Sequence, residues 1–149
     1  MTNLRWAFAL LLWGTAVQAV ECEDVIWSDT SFTVCHVNTQ TEDLRLFHSD
    51  SKGQLYGGFS AIESDVGSLS FAMNAGMYHD DRRPVGHYIE DGETLMRVIP
   101  NAGPGNFGLL PNGILCLNDD TARVYETLLY VEEAPTCTPA TQSAPMLVL

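Results

Sequence analysis

Short stretches in which hydrophobic and polar residues alternate dominate the chain, and they predict β-strands. In residues 31–37, Phe32 and Val34 fall on one side of an extended backbone. Residues 43–49 alternate in the same way around two leucines. Because successive side chains of a strand point to opposite faces, both stretches are predicted strands.

The next segment changes its period and predicts a short helix followed by a strand. Apolar residues recur at helical spacing at Phe59, Ile62 and Val66, with Ser60 as a possible N-cap. Alternation then returns over residues 69–73. This second stretch is predicted to be a buried strand.

Two hairpins are predicted further along the chain. Residues 85–99 form two β-rich stretches around Asp91-Gly92, a pair that suits a tight turn because glycine tolerates a positive φ. Residues 112–117 and 122–131 flank a polar turn, and residues 144–149 are apolar and β-prone. Strands outnumber helices, so the predicted fold is α+β, with a mixed or mainly antiparallel sheet and few helices.

Residues 1–19 have the pattern of a secretory signal peptide. Arg5 is their only charged residue, an apolar run follows, and Val17 and Ala19 place small residues at the −3 and −1 positions of a cleavage site. The run is shorter than the ~20 residues that span a bilayer. Cleavage would leave no transmembrane segment, and the mature protein is predicted to be secreted or periplasmic.

Length, composition and charge indicate a single folded domain and argue against binding of nucleic acid. A chain of 149 residues suits one domain, and 46% hydrophobic residues are too many for intrinsic disorder. The formal net charge is −12, and it becomes −13 when removal of residues 1–19 takes away Arg5 and no acidic residue. Such a surface repels phosphate backbones, so no nucleic-acid partner is expected.

Four cysteines lie beyond the signal peptide, at Cys22, Cys35, Cys116 and Cys137. An oxidising destination favours disulfides, and without a C-x-x-C pair neither zinc nor a redox motif is indicated. Three pairings are possible. The sequence-local pairing of Cys22 with Cys35 and of Cys116 with Cys137 is favoured, because each pair brackets a hairpin-like segment.

Three segments contain residue types that can bind a ligand or take part in catalysis. Residues 101–113 contain four glycines and two prolines, which fits either a cradle for an anion or sugar or two ordinary turns. The cluster His79-Asp80-Asp81 offers cation ligands or acid–base groups, but a run of charges is more typical of an exposed loop. Ser143 lacks the G-x-S-x-G context of a nucleophile. No metal and no cofactor are predicted.

Taken together, three pieces of the chain closely resemble the N-terminal half of the phosphodiester glycosidase domain. In order, they read AMNAGMYHDDRRPVGHYIEDG, GPGNFGLLPNGILCL and ATQSAPMLVL. The family includes the enzyme that removes N-acetylglucosamine from a mannose 6-phosphate diester. The resemblance covers about residues 22–149, so residues 20–149 are expected to be the N-terminal part of such a domain.

The resemblance implies a set of substrate-binding residues within four short motifs. Asn-Ala-Gly-Met occupies 74–77, Gly-Asn-Phe 105–107, Pro-Asn-Gly 111–113 and Ala-Thr-Gln-Ser 140–143. Their amides, hydroxyls and glycines suit sugar hydroxyls and phosphate oxygens better than proton transfer. The candidate residues are Asn74, Gly76, Met77, Gly105, Asn106, Asn112, Gly113, Gln142 and Ser143.

The chain departs from the family pattern in two residues and in its length. Ala144 stands where glycine is usual, which requires a negative φ, and His87 stands where an apolar residue is common; packing is its favoured role. An Arg-containing segment and an Asp-Gly-Gly motif of the family's second half have no counterpart here. The domain is therefore expected to be truncated before it is complete, and no catalytic acid or base can be assigned.

The expected function is that of a secreted hydrolase of glycosyl phosphodiesters, which cleaves between sugar and phosphate. The alternative is a non-catalytic secreted module that binds a carbohydrate or the cell envelope, and a third possibility is a disulfide-stabilised protein without a small-molecule site. The expected ligand is a glycosyl phosphodiester or a carbohydrate. The sequence does not define an oligomeric state.

Overall fold

The computed structural model describes residues 20–118 and 121–147, and these residues form an α+β fold with two antiparallel sheets. This confirms the predicted fold class. The strands are β1 (Glu21–Trp27), β2 (Thr30–His36), β3 (Tyr88–Glu90), β4 (Glu93–Met96), β5 (Gly113–Leu117), β6 (Ala122–Glu126) and β7 (Ala140–Ser143). The helices are α1 (Phe59–Val66) and α2 (Thr127–Glu133), and a 3₁₀ turn covers Asn106–Gly108.

Strands β1 and β2 form a hairpin of their own. Ser28 and Asp29 make the turn with φ values of 48° and 61°, the left-handed conformation of a two-residue hairpin loop. The Cys22–Cys35 disulfide joins the two strands and confirms the predicted pairing. Every residue of β1 is exposed, so the hairpin is not part of the main core.

The second sheet has the strand order β4-β3-β7-β5-β6. Both predicted hairpins are present, since β3 pairs with β4 and β5 pairs with β6. Asp91 and Gly92 turn the first hairpin with φ values of 49° and 79°. Strand β7 lies between the hairpins and pairs with β3 and β5, which makes residues 140–143 the centre of the sheet.

The core lies between one face of this sheet and helix α2. Its buried members are Ile89, Ile114, Cys116, Tyr130, Cys137 and Ala140. The Cys116–Cys137 disulfide lies within the core and joins β5 to the segment that leads into β7. This pairing too was predicted from the sequence.

Two predicted strands are not formed. Residues 43–49 contain only an isolated bridge, between Ser49 and Leu55. Residues 69–73 are irregular, and Met73 is 73% exposed instead of buried. Alternation favours a strand only where a neighbouring strand supplies hydrogen bonds, and no strand of the described residues pairs with either stretch.

Three finer predictions also need correction. The prediction extended the second strand of the hairpin to residue 131, but residues 127–133 are α2, because the Glu126 side chain accepts hydrogen bonds from the amides of Leu128 and Leu129. Helix α1 starts after Gly58, so Ser60 lies inside it and is not its cap. In the tail, β7 ends at Ser143 and residues 144–147 are not in a strand.

Some predictions fall outside the described residues. The signal peptide at residues 1–19 and the last two residues of the predicted terminal strand are among them. Within residues 20–118 and 121–147, neither helix has the length and apolar character needed to cross a membrane.

Candidate functional site

Gln142 lies where the predicted site segments meet. Strand β7 places its side chain beside α2, where it is 1% exposed. Its Oε1 accepts hydrogen bonds from the amides of His87 and Ile99, both at 3.0 Å, and its Nε2 donates to the Ile99 carbonyl at 2.8 Å. One amide therefore connects β7 to the residue before β3 and to the segment after β4.

Asn112 continues this network towards the glycine-rich loop. It is fully buried, and its backbone carbonyl accepts hydrogen bonds from both the amide and Oγ1 of Thr127, each at 3.0 Å. Its Nδ2 donates to the Phe107 carbonyl at 3.3 Å, and its Oδ1 accepts from Nε2 of Gln142 at 3.4 Å. Both amide side chains are therefore engaged inside the protein, where they hold the 3₁₀ turn and the start of α2 in place.

Two glycines let neighbouring segments approach this network closely. A Cβ at Gly76 would lie 2.6 Å from Oγ1 of Thr141 and 3.1 Å from the Gln142 carbonyl. A Cβ at Gly86 would overlap the Phe107 ring and lie 2.8 Å from Oε1 of Gln142. Both positions require the absence of a side chain, and the segment 74–77 is thereby packed directly against β7.

The glycine-rich loop joins the same region from the other side. Gly113 opens β5 opposite Ser143 of β7, and the Met146 side chain lies against it. Gly105 has a φ of 69° and precedes the 3₁₀ turn, so a glycine is favoured there by conformation. The structure therefore brings residues 74–77, 105–113 and 140–143 together, and we call these three segments the motif cluster.

The candidate residues divide by depth within the motif cluster. Asn74, Gly105 and Asn106 are exposed, whereas Asn112, Gly113 and Gln142 are buried. Gly76, Met77 and Ser143 are half-buried. The exposed amides are accessible to solvent, whereas the buried amides hold the surrounding backbone in place.

His87 has a structural role that its residue type did not reveal. It is 6% exposed, and its Nδ1 lies 2.9 Å from the Met96 carbonyl, which can only accept a hydrogen bond, so Nδ1 donates. Its Nε2 lies 3.0 Å from the Tyr130 hydroxyl, from which the neutral ring accepts a hydrogen bond. Burial raises the pKa of Tyr130, which keeps this hydroxyl protonated. Packing, as predicted, is thus combined with hydrogen bonds at both ring nitrogens.

The charged residues 79–83 form an exposed turn. Arg83 Nε donates to Oδ2 of Asp81 at 2.7 Å, and this contact lowers the pKa of the Asp81 carboxyl. The Arg82 guanidinium lies over the Tyr78 ring, 4.9 Å from its centroid. The alternative of a self-compensating surface loop therefore describes this segment. Among residues 20–118 and 121–147, no group of three or more His, Cys, Asp or Glu side chains is arranged to hold a metal ion.

Ala144 was expected to have a negative φ, because it stands where glycine is usual in the phosphodiester glycosidase domain. It is not one of the described residues with a positive φ, and the peptide bond that follows it, to Pro145, is cis. Alanine is therefore tolerated at this position.

Sequence reasoning missed a cavity at the opposite end of β5. Its volume is about 330 Å³, and its lining includes Leu44, Leu46 and Leu117. Glu42, Asp43, Arg45 and Asp91 contribute charged groups. These residues come from segments far apart in the sequence, so no local motif indicated the cavity.

Comparison with known proteins finds a longer relative. The chain is 30% identical over 151 residues to YigE, an uncharacterized protein of Escherichia coli strain K12. The match covers 98% of the chain but 59% of that relative, so the chain spans a little more than half of its length. No family model matches the chain, and no solved structure matches it.

Proposed function

We propose that this protein acts on glycosyl phosphodiesters, with the motif cluster as its ligand site. The observation that supports this most directly is the convergence of residues 74–77 and 105–113 on β7, through Gly76 and the Asn112–Gln142 contact. These are the segments whose motifs resemble the phosphodiester glycosidase domain.

The residues of the motif cluster suit a ligand that carries both sugar hydroxyls and a phosphate. Asn74 and Asn106 each offer an amide that donates and accepts hydrogen bonds at the surface. Neutral donors contact a phosphodiester without the need for a cationic side chain. The buried amides of Asn112 and Gln142 keep the backbone below in one position, which lowers the entropy cost of binding.

In the proposed reaction, one water molecule is added across the bond between sugar and phosphate. The oxygen–carbon or oxygen–phosphorus bond breaks, and the products are a free sugar and a phosphomonoester. No acid or base is assigned to this step. The relative is longer than this chain, so hydrolysis of a glycosyl phosphodiester by the whole protein is part of the proposal. This activity is not inferred from the relative.

A non-catalytic module that binds carbohydrate or the cell envelope is the second candidate. It is favoured by the character of Asn74 and Asn106, which lack a titratable group for proton transfer. Both candidates place the protein outside the cytoplasm. The two disulfides are compatible with a secreted or periplasmic location.

The test is to incubate the purified, oxidised protein with the methyl phosphodiester of N-acetylglucosamine 1-phosphate and to measure release of the sugar. Calorimetry with the same compound measures binding in parallel. Release above the rate in buffer supports the hydrolase. Saturable binding without release supports the binding module, and absence of both contradicts both candidates.

A further inference from the structure

The β1–β2 hairpin carries a surface that the proposed function does not use. Four large apolar side chains share one face of the hairpin, because they are paired across the strands or alternate along them. They are Val25, Trp27, Phe32 and Val34. Their exposed fractions are 37%, 74%, 50% and 38%. The hairpin therefore presents four apolar side chains to solvent, on the face that also carries Glu21, Glu23 and His36. Both of its strands have an open edge within the described residues.

The two edges differ in charge. Strand β1 carries Glu21, Glu23 and Asp24, whereas β2 has no Asp, Glu, Lys or Arg between Thr30 and His36. Natural sheets protect an open edge with charged residues, proline or a bulge. Strand β2 has none of these, and it pairs with β1 in an unbroken register. Its edge is therefore free to pair with another strand, while the β1 edge repels a copy of itself.

The hairpin geometry determines which backbone groups face outward from β2. In a two-residue loop the flanking pair, here Trp27 and Thr30, exchanges hydrogen bonds, and the pairs then alternate. Thr30, Phe32 and Val34 consequently point their backbone groups at β1. The N–H and C=O groups of Ser31, Thr33 and Cys35 point to the open edge.

These outward groups are self-complementary about Thr33. If a second β2 approaches in antiparallel orientation with Thr33 opposite Thr33, then Ser31 lies opposite Cys35 and Phe32 lies opposite Val34. This register satisfies about six backbone hydrogen bonds and places apolar side chains against each other on the exposed face. A two-fold axis through the Thr33 pair relates the copies, as a closed dimer requires.

We propose that the β2 edge is a homodimer interface, in which two hairpins join into one four-stranded sheet through Ser31–Cys35. The occupant is a second copy of this chain, because the sequence of β2 pairs with itself without placing like charges opposite each other. The contact area is that of a single strand pair, so a concentration-dependent dimer is expected, not an obligate one.

The experiment measures the mass of the purified, oxidised protein by sedimentation over about 1–200 μM, with hydrogen exchange at both ends of the range. We expect dimer to form as concentration rises. The amides of Ser31, Thr33 and Cys35 should become protected only in the dimer. Those of Phe32 and Val34 should be protected at every concentration, because they bond to β1.

The variant Thr33→Lys sets two cations opposite each other and should shift the monomer–dimer midpoint at least tenfold upward. Thr136→Lys is the matched control, since Thr136 is an exposed threonine outside the hairpin, and it should dimerise like the wild type. Circular dichroism and an intact disulfide check the fold of both. A monomer at every concentration, a dimer that Thr33→Lys leaves unchanged, or a dimer without protection at Thr33 would each overturn the proposal.

Discussion

At the scale of single residues, the motif cluster depends on glycines that admit close packing. Gly76 is the clearest case, because a Cβ at this position would lie only 2.6 Å from Oγ1 of Thr141. The sequence motif made Gly76 a candidate substrate-binding residue. The contact with Thr141 was not predictable, since it joins positions far apart in the chain.

The substitution Gly76→Ala should lower the free energy of unfolding by about 1–3 kcal/mol, because the new methyl group meets Thr141 and the Gln142 carbonyl. Gly58→Ala is the control, since Gly58 is extended and a Cβ added there would have no atom within 4 Å. Urea denaturation measures both. The added change Thr141→Ala should restore part of the loss, and a Gly76→Ala protein as stable as Gly58→Ala would contradict the packing.

Glu90 gives a prediction about pH. Burial raises the pKa of its carboxyl from the ordinary 4.5, although its Oε1 accepts a hydrogen bond from the His48 amide at 2.9 Å. A raised pKa in the folded state favours folding at low pH, and this contribution is lost as the pH rises through the folded value. Stability should therefore fall above pH 4.5 through this group.

Glu90→Gln keeps an acceptor for the His48 amide and removes the charge. It should be more stable than the wild type at about pH 7, and the difference should vanish at about pH 3, where the carboxyl is protonated in both states. Thermal melts at several pH values measure this, with Glu132→Gln on the exposed side of α2 as the control. An equal gain at both ends of this pH range would show that the Glu90 charge is not responsible.

At the scale of elements, the sequence predicted turns and hairpins better than it predicted isolated strands, because a turn depends mainly on residues that are neighbours in the chain. The Asp91-Gly92 turn formed as predicted, with the positive φ values that its residues favour, and the Gly92 amide also donates to the Thr138 carbonyl. Alternation in residues 69–73 did not produce a strand, because a strand also needs a partner. The β-prone residues 127–131 were predicted to continue a strand. They form part of α2 instead, since the Glu126 side chain caps the first turn of this helix.

The two disulfides stabilise different elements, so their removal should have different effects. Cys116–Cys137 lies in the core and closes a loop with a sequence separation of 21, whereas Cys22–Cys35 lies in the separate hairpin. In the chain-entropy account, replacing Cys116 and Cys137 with alanine should cost the main sheet about 3 kcal/mol.

The matched double replacement of Cys22 and Cys35 should leave unfolding of the main sheet almost unchanged. Denaturation followed by the far-UV signal and by hydrogen exchange in β5 measures each variant. Equal destabilisation of β5 by both double replacements would mean that the hairpin and the main sheet unfold together.

At the scale of the whole molecule, the sequence predicted the fold class but not how deeply the candidate site residues are buried. Asn112 and Gln142 resemble ligand-binding amides in the sequence, yet each is buried and bonded within the protein. Burial depends on how β7 inserts between the two hairpins, which no local pattern specifies. Asn74 and Asn106 remain the exposed amides through which the proposed ligand is contacted.

Binding of a glycosyl phosphodiester by the motif cluster is the central claim. Its most direct test is the dissociation constant of the methyl phosphodiester of N-acetylglucosamine 1-phosphate, measured by calorimetry for the wild type, Asn74→Ala and Gln40→Ala. Asn74→Ala removes a donor and an acceptor and should weaken binding by about 1–3 kcal/mol, or roughly 5- to 150-fold. Gln40 is an exposed amide outside the motif cluster, and its replacement should change nothing. Equal affinities in all three folded proteins would contradict the claim.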